Sequence, residues 1–282
     1  MAALTCASRV ANRSDQLAST RGPRESGDAP PSERLRPRIV GPGLADAIDR
    51  AFPNSRDDAR WALAGSANVR SFAAGQAIVR QGDETSLALV LDGHVAVRHT
   101  TVDGRQLVMR IVTKGGLAGI LPLARRPATG DALALTPGAA ALWQGEEVRS
   151  LASTDPGLAV DILDHVLATF EGMTWRLDSL LHQASVRRVA RVLLVHADLF
   201  FGEPPVLTRA ILPELVGTSR EMTGRVLRIL ESRQLVARVG RDRLQLLDAA
   251  GLEELAEFGS DRSRTALRVI AGPRPPVLSA GD

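Results

Sequence analysis

Cysteine is almost missing from this sequence: Cys6 is the only one in 282 residues. No intrachain disulfide can form, which suits a reducing cytoplasm, the expected location. An iron–sulfur cluster held by four cysteines of one chain is excluded as well. Lysine is equally scarce, with Lys114 alone, so nearly all positive charge is guanidinium. No apolar run reaches the roughly 18 residues needed to span a bilayer, so no membrane partner is expected. The opening stretch Met1–Val10 lacks a charged start followed by a long apolar core, and no signal peptide is read there. There is no Walker-type phosphate loop, no Cys/His zinc cluster and no nucleophile motif, so the chain is not expected to be an enzyme. His94, His99, His165, His182 and His196 are scattered. A lone histidine is more often a hydrogen-bonded or surface residue than a ligand, so no metal or certain cofactor is assigned, with haem sensing through one histidine left open.

What is present is charge in one place. The whole chain is nearly balanced, 35 basic against 32 acidic residues. Between Ser185 and Leu247, however, eleven arginines face six acids. A local excess of this kind suits a polyanion such as nucleic acid, although a solvated arginine-rich face produces the same count.

The chain divides by pattern. Residues 1–40 are rich in Ser, Arg, Pro and Gly without hydrophobic period and read as a disordered arm. Short helical patterns follow at Leu44–Phe52 and Asp57–Ala64. From Phe72 to Trp143, glycines recur at short intervals (Gly75, Gly82, Gly93, Gly104, Gly115). Between them lie strand-like runs at Ala77–Val79, Leu87–Leu91, His94–Val97 and Leu107–Val112. Asp92-Gly93 and Asp103-Gly104 are hairpin dipeptides. Short strands with such turns predict a β-barrel or roll, here placed at 41–153. Asp155-Pro156 then supplies an N-cap and first-turn pair for a long helix over 154–184. Leu163, Val166, Phe170, Met173, Leu177, Leu180 and Ala184 repeat on it at gaps of three and four, a heptad seam expected to pair two subunits. Leu167, Thr174 and Leu181 form a second ridge, assigned to the β domain. Met173 reads as packing rather than as a ligand. Residues 185–258 form the next unit, and 259–282, with Pro273, Pro275 and Pro276, read as a flexible tail.

The most informative stretch is Leu207–Leu247. Thr208 is expected to cap a helix running toward Val216, with Pro213 inside it as a bend. Gly217 makes the turn. Ser219 caps a second helix whose apolar positions (Met222, Val226, Ile229, Leu230) leave Arg220, Glu221 and Arg225 outward. Gly240-Arg241 turns a wing. Helix, turn, helix and wing make a winged helix-turn-helix, whose second helix reads the major groove with its N-terminal residues. Arginine forks pair with guanine O6 and N7, and glutamate accepts from cytosine N4, making Arg220, Arg225 and Glu221 candidate base readers. Ser219, Thr208 and Arg209 are placed for phosphate contact.

Thr218-Ser219-Arg220-Glu221, Gly224-Arg225, Leu230-Glu231 and Leu235-Val236 resemble the recognition helix and wing of the Crp/Fnr family of cyclic-AMP receptor protein-like regulators. Gly75, Gly82-Asp83, Gly93 and Asp103-Gly104 resemble turns of that family's cyclic-nucleotide-binding roll. The resemblance covers about Leu44 to Leu255. It implies an α+β chain with an N-terminal β-roll (a cyclic-nucleotide-binding-like jelly roll), a long dimerisation helix and a C-terminal winged helix-turn-helix. It further implies a homodimer on double-stranded DNA, TGTGA-like half-sites, and RNA polymerase as a further partner. The family's cyclic-AMP pocket would fall on Gly119, Ile120, Arg126, Thr129, Met173 and Thr174. Gly119 and Arg126 fit that pattern. Ile120 stands where a carboxylate takes the ribose hydroxyl, and Pro127 where a hydroxyl is expected. A buried ribose hydroxyl left unpaired costs about 1–3 kcal/mol. The expected function is therefore a DNA-binding regulator whose sensor is not tuned to cyclic AMP and whose effector is unknown. The alternatives are a cyclic-nucleotide-responsive regulator with an altered pocket, and an interaction module that no longer binds DNA.

Overall fold

The structure, a computed structural model, describes residues 42–83 and 86–256. The expected arm at 1–40 and tail at 259–282 lie outside these residues. Two short helices come first, α1 (Pro42–Ala51) and α2 (Asp57–Ser66). Eight strands follow: β1 (Asn68–Phe72), β2 (Ala77–Val79), β3 (Ser86–Asp92), β4 (Val95–Thr100), β5 (Gln106–Val112), β6 (Leu117–Ala118), β7 (Asp131–Ala134) and β8 (Gly138–Gln144). They form two antiparallel four-stranded sheets, ordered β1-β8-β3-β6 and β2-β7-β4-β5. Alternation along β3 explains why it reads as one apolar run. Ala88 and Val90 join an inner core with Val79, Val95, Val112, Ala132 and Leu142, contributed by both sheets. Leu87, Leu89 and Leu91 point the other way, into a core shared with Leu44, Ile48, Phe52 and Leu63 of the helices. A strand covered on both faces has no polar side to show. Gly93 turns β3 into β4 with φ +86°, and a Cβ there would lie 2.8 Å from the Pro137 carbonyl oxygen. Only glycine combines that dihedral with that approach.

Helix α3 (Gly145–Thr154) leads to the long α4 (Pro156–His182). The Asp155 side chain caps α4 by accepting from Gly157 N at 3.0 Å, and Pro156 occupies the first turn. Asp155 also accepts from Ser55 Oγ at 2.7 Å and Arg56 N at 3.0 Å. Burial raises its carboxyl, but these hydrogen bonds outweigh it and hold the group below the ordinary carboxylate range. Nearly two turns on, buried Asp161 accepts from Asn54 N, Asn54 Nδ2 and Ser55 N at 2.8–3.2 Å. Two carboxylates thus fasten the loop between α1 and α2 to the start of α4. At Gly157 any Cβ would collide with the Asn54 carbonyl.

The C-terminal part contains α5 (Ser185–Val195), α6 (Ala197–Phe201), α7 (Leu212–Val216), α8 (Arg220–Ser232), the hairpin β9 (Val236–Val239) and β10 (Arg243–Leu246), and α9 (Ala249–Ala256). Their core includes Val189, Leu193, Phe200, Leu212, Leu215, Val226 and Leu230. Ala96, Val108 and Ile111 of β4 and β5 belong to the same cluster.

Three expectations change. The first reader helix is one short turn beginning at Leu212, not a helix capped by Thr208. Thr208 instead opens a turn, its carbonyl accepting from Ile211 N at 3.2 Å. Pro213 therefore sits in the first helical turn, where its missing N–H has no intrahelical partner to lose, and it bends nothing. Second, Leu167, Thr174 and Leu181 do not pack on the roll; all three are exposed. The helix packs on its own chain through Leu158, Asp161, Ile162, His165, Gly172, Trp175 and Leu180, a stripe on its other side. Third, the exposed apolar line is Val160, Leu163, Leu167, Phe170, Leu177 and Leu181, with Thr174 filling its one gap. Its spacing is heptad too, which is why periodicity alone left two registers open. Val166 and Met173 border that line as exposed neighbours, so Met173 fills no core. Leu180 is half-buried beside Gly217 of the C-terminal part, and Ala184 lies beyond the end of α4.

Candidate nucleic-acid interface

Helix α8 is the second helix of the expected helix-turn-helix. Ser219 caps it, its Oγ accepting from Met222 N at 3.1 Å. Thr223, Val226, Leu227 and Leu230 are buried, which turns Arg220, Glu221, Arg225 and Arg228 outward. Glu221, Arg225 and Arg228, four and three residues apart, share one side of the helix, and Arg220 precedes them at its first position. Arg225 Nη2 donates to Glu221 Oε1 at 3.2 Å. This pair is exposed at both ends, and such i,i+4 pairs contribute only about 0.3–0.5 kcal/mol, so exchanging it for a base edge is inexpensive. Arg220 has no ion-pair partner among the described residues, and neither has Arg241 at the tip of the wing. Gly224 lies on the same face. A Cβ there would meet nothing nearer than Arg228 Nη1 at 4.0 Å. The fold does not require glycine at this position, and a glycine inside a helix costs about 1 kcal/mol relative to alanine.

Three flanking arginines are already engaged. Arg238 forms a two-pronged pair with Glu231, its Nη2 lying 2.6 Å from Oε2. This hydrogen bond holds the Glu231 carboxyl below its ordinary range and ties the wing to α8. Arg243 pairs with Glu203 at 2.8 Å. Arg209 is half-buried and lies 3.8 Å from Asp242, whose carbonyl its backbone N–H also reaches at 2.9 Å. Of the three residues assigned to phosphate, Ser219 is exposed at the helix N-terminus while Thr208 and Arg209 are half-buried. Sequence reasoning passed over Arg228 and Arg241. The signal was available for the first, since Arg228 falls three residues after Arg225.

The residues assigned to an effector pocket stand in different settings. Gly119 takes φ +71° and Ile120, half-buried, packs against the core that β3 shares with the first two helices. Arg126 and Thr129 stand exposed on the following loop, and Met173 and Thr174 stand exposed on α4. The Thr174 hydroxyl donates to its own helix at Phe170 O, 3.0 Å away. Among the described residues, no group of three or more His, Cys, Asp or Glu side chains is arranged to hold a metal, and no helix is long and apolar enough to cross a membrane.

With this geometry in view, two family descriptions match. The cyclic nucleotide-binding domain matches residues 69–155, and the Crp-like helix-turn-helix domain matches residues 187–255. Together they cover more than half of the chain. The chain belongs to the Crp/Fnr family. Among solved structures, a transcriptional regulator of this family from Thermus thermophilus is 29% identical, with a TM-score of 0.58 over 67% of this chain and 98% of that one. The c-di-GMP-responsive global regulator CLP of Xanthomonas campestris is 23% identical, with a TM-score of 0.58 over 72% and 99%. FixK2 of Bradyrhizobium japonicum, at 17% identity, has a TM-score of 0.58 over 69% and 99%. The last two share the fold. No curated protein sequence matches the chain. The architecture of roll, long helix and helix-turn-helix domain is that of a Crp/Fnr DNA-binding transcription regulator.

Proposed function

We propose that this family member acts as a sequence-specific homodimer, paired along α4 and reading DNA with α8. The observation that carries the reading is the outward face of α8, where Arg220, Glu221, Arg225 and Arg228 cluster beside a glycine that the fold itself does not need. The exposed line Val160 to Leu181 supports pairing, since an apolar stripe of this length on a soluble helix marks an interaction surface. Two-fold pairing along α4 presents two reading helices to successive major grooves, with half-sites about 34–36 Å apart. Arg220 and Arg225 take guanine, Glu221 takes cytosine, and Ser219 takes phosphate, with Thr208 and Arg209 at its edge. The sensor is not tuned to cyclic AMP, because Ile120 offers no acceptor and turns into a core. Its effector is of another kind, and RNA polymerase is the further partner such a regulator meets.

Fluorescence anisotropy on a TGTGA-N6-TCACA duplex against a scrambled control, with and without cyclic AMP and at two salt concentrations, tests this. Selective binding without nucleotide is expected. Selectivity only with nucleotide would overturn the reading of Ile120, and none against any duplex in an unbiased site selection would overturn the DNA reading.

A further inference from the structure

Away from the roll's expected pocket, a cavity of about 80 Å³ lies where β5, α4, α5 and α7 meet. Its walls are largely apolar, yet Arg110, Arg176, Arg188 and Arg191 all line it, and no Asp or Glu does. Each of the first three already has a backbone acceptor. Arg110 Nη2 donates to Leu117 O, Arg176 Nη2 to Glu214 O at 3.4 Å, and Arg188 Nη1 to Leu180 O at 3.0 Å. These bonds fix the forks without neutralising them. The Nε atoms of Arg176 and Arg188 and Nδ1 of His196 are sealed from solvent with no hydrogen-bond partner. His196 is 8% exposed and Arg191, stacked 5.6 Å over the Trp175 ring, is 9% exposed. Asp178 partly offsets Arg191. Burial lowers Arg110 and Arg176 to about 10, Arg188 adding to the effect on Arg176, so both remain cationic at neutral pH.

Several guanidinium charges facing one apolar-walled space repel one another, and a buried charge without a counter-charge is strongly unfavourable. A guanidinium has five donors in a planar fork that matches the oxygens of phosphate. We infer that this cavity is a binding site for a phosphate-class oxyanion, held by Arg110, Arg176 and Arg188 with His196 at its floor. Size sets the class. One water needs roughly 10–15 Å³ of such space, so the cavity takes a compact tetrahedral ion or a single phosphoryl group. A whole nucleotide belongs in pockets of about 300–1,000 Å³. The site rests on side chains of the roll, the long helix and the reader together, and does not depend on the DNA-binding reading.

The test is calorimetric titration of the full chain with inorganic phosphate, with glycerol 3-phosphate, and with chloride at matched ionic strength. Tryptophan emission, in which Trp175 reports the cavity, gives a second readout on the unmutated protein. Saturable binding of one phosphate per chain is expected, with no such isotherm for chloride. R176Q and R188Q are each expected to weaken it at least tenfold, while R70Q, on the exposed surface of β1, leaves it unchanged. Binding of both phosphate and glycerol 3-phosphate with this arginine dependence assigns the site to a phosphorylated metabolite. Binding of phosphate alone assigns it to the free ion. Absence of a saturable isotherm on the unmutated chain, which would mean a water-filled cavity, or full binding by folded R176Q and R188Q, overturns the assignment.

Discussion

Phe170 offers the sharpest test of pairing along α4. It is 68% exposed in the single chain, although a phenylalanine is among the side chains most favoured in cores. An aromatic side chain buries roughly 150–250 Å² when covered, so some 100–170 Å² of Phe170 awaits a partner. At about 25 cal/mol per Å² that is near 3 kcal/mol per subunit, and two-fold symmetry counts it twice. Alanine keeps part of this area and the seam is open at its edges, so Phe170→Ala should cost the dimer about 4 kcal/mol, roughly a thousandfold in its dissociation constant. The fold of each subunit should hardly notice, because the ring touches no core of its own chain. Sedimentation equilibrium across nanomolar to micromolar protein reads the first quantity, and far-UV circular dichroism at low temperature reads the second. A native chain that is monomeric at micromolar concentration would refute the reasoning, as would an unchanged dissociation constant in F170A.

Other consequences follow from single contacts. Gly224→Ala should stabilise the chain by about 0.5–1 kcal/mol in urea unfolding and, if DNA backbone approaches the proposed reading face there, weaken operator binding; unchanged DNA affinity would remove Gly224 from the interface. Arg225→Ala should cost about 1–3 kcal/mol of operator affinity and relax selection at one base pair, whereas uniform weakening on all sequences would mark a phosphate contact. Asp161→Ala strands the Asn54 and Ser55 N–H groups and should destabilise by about 2–4 kcal/mol in urea unfolding; a loss under 1 kcal/mol would show that the loop finds other acceptors. Burial and the nearby Arg176 lower His196 to about 4 from an ordinary 6.5, so the unfolded chain binds a proton that the folded chain refuses. Stability from this group is complete above pH 6.5 and is lost as the pH falls toward 4, by up to about 3 kcal/mol, and a folded H196Q that loses as much stability as the native chain between pH 7.5 and 4.5 would contradict this.

The fold was legible wherever local chemistry decides structure. Hairpin dipeptides placed the turn between β3 and β4, the Asp155-Pro156 pair placed the start of α4, and the period from Met222 to Leu230 placed α8. Pro213 misled because its effect depends on a boundary four residues away. A proline is harmless in a first turn and harmful in a third, and only the position of Leu212 as the start decides which. The register of the seam was open for a different reason. A helix with apolar residues on two adjacent ridges satisfies the heptad rule in two registers, and the choice is made by the roll and the reader, which claim Gly172, Trp175 and Leu180. Of the candidate site, the outward residues of α8 were readable from the pattern of their buried neighbours. The arginine cavity was not, because only Arg188 and Arg191, three apart on α5, share a spacing, and tertiary packing brings Arg110 of β5 and Arg176 of α4 to them.

The same packing bears on how such a chain can respond to a ligand. The reader's turn residue Gly217 lies so close to the roll and the long helix that a Cβ would sit 2.8 Å from Leu180 Cδ2 and 3.2 Å from Leu107 Cδ1. Val108 and Ile111 of β5 are fully buried in the reader's own core. Exposing a side chain of that size costs about 1.5–3 kcal/mol, so swinging the reader away from β5 costs about 3–6 kcal/mol for these two alone. An effector that turns such an equilibrium from 1:99 to 99:1 must discriminate between the two states by about 5.5 kcal/mol. The two quantities are similar. These two side chains alone therefore set a cost that a ligand's whole differential affinity would be needed to offset. A ligand that changed how β5 and α4 meet Gly217 would act directly beside α8, since α7 and α8 are joined by that residue and the two that follow it.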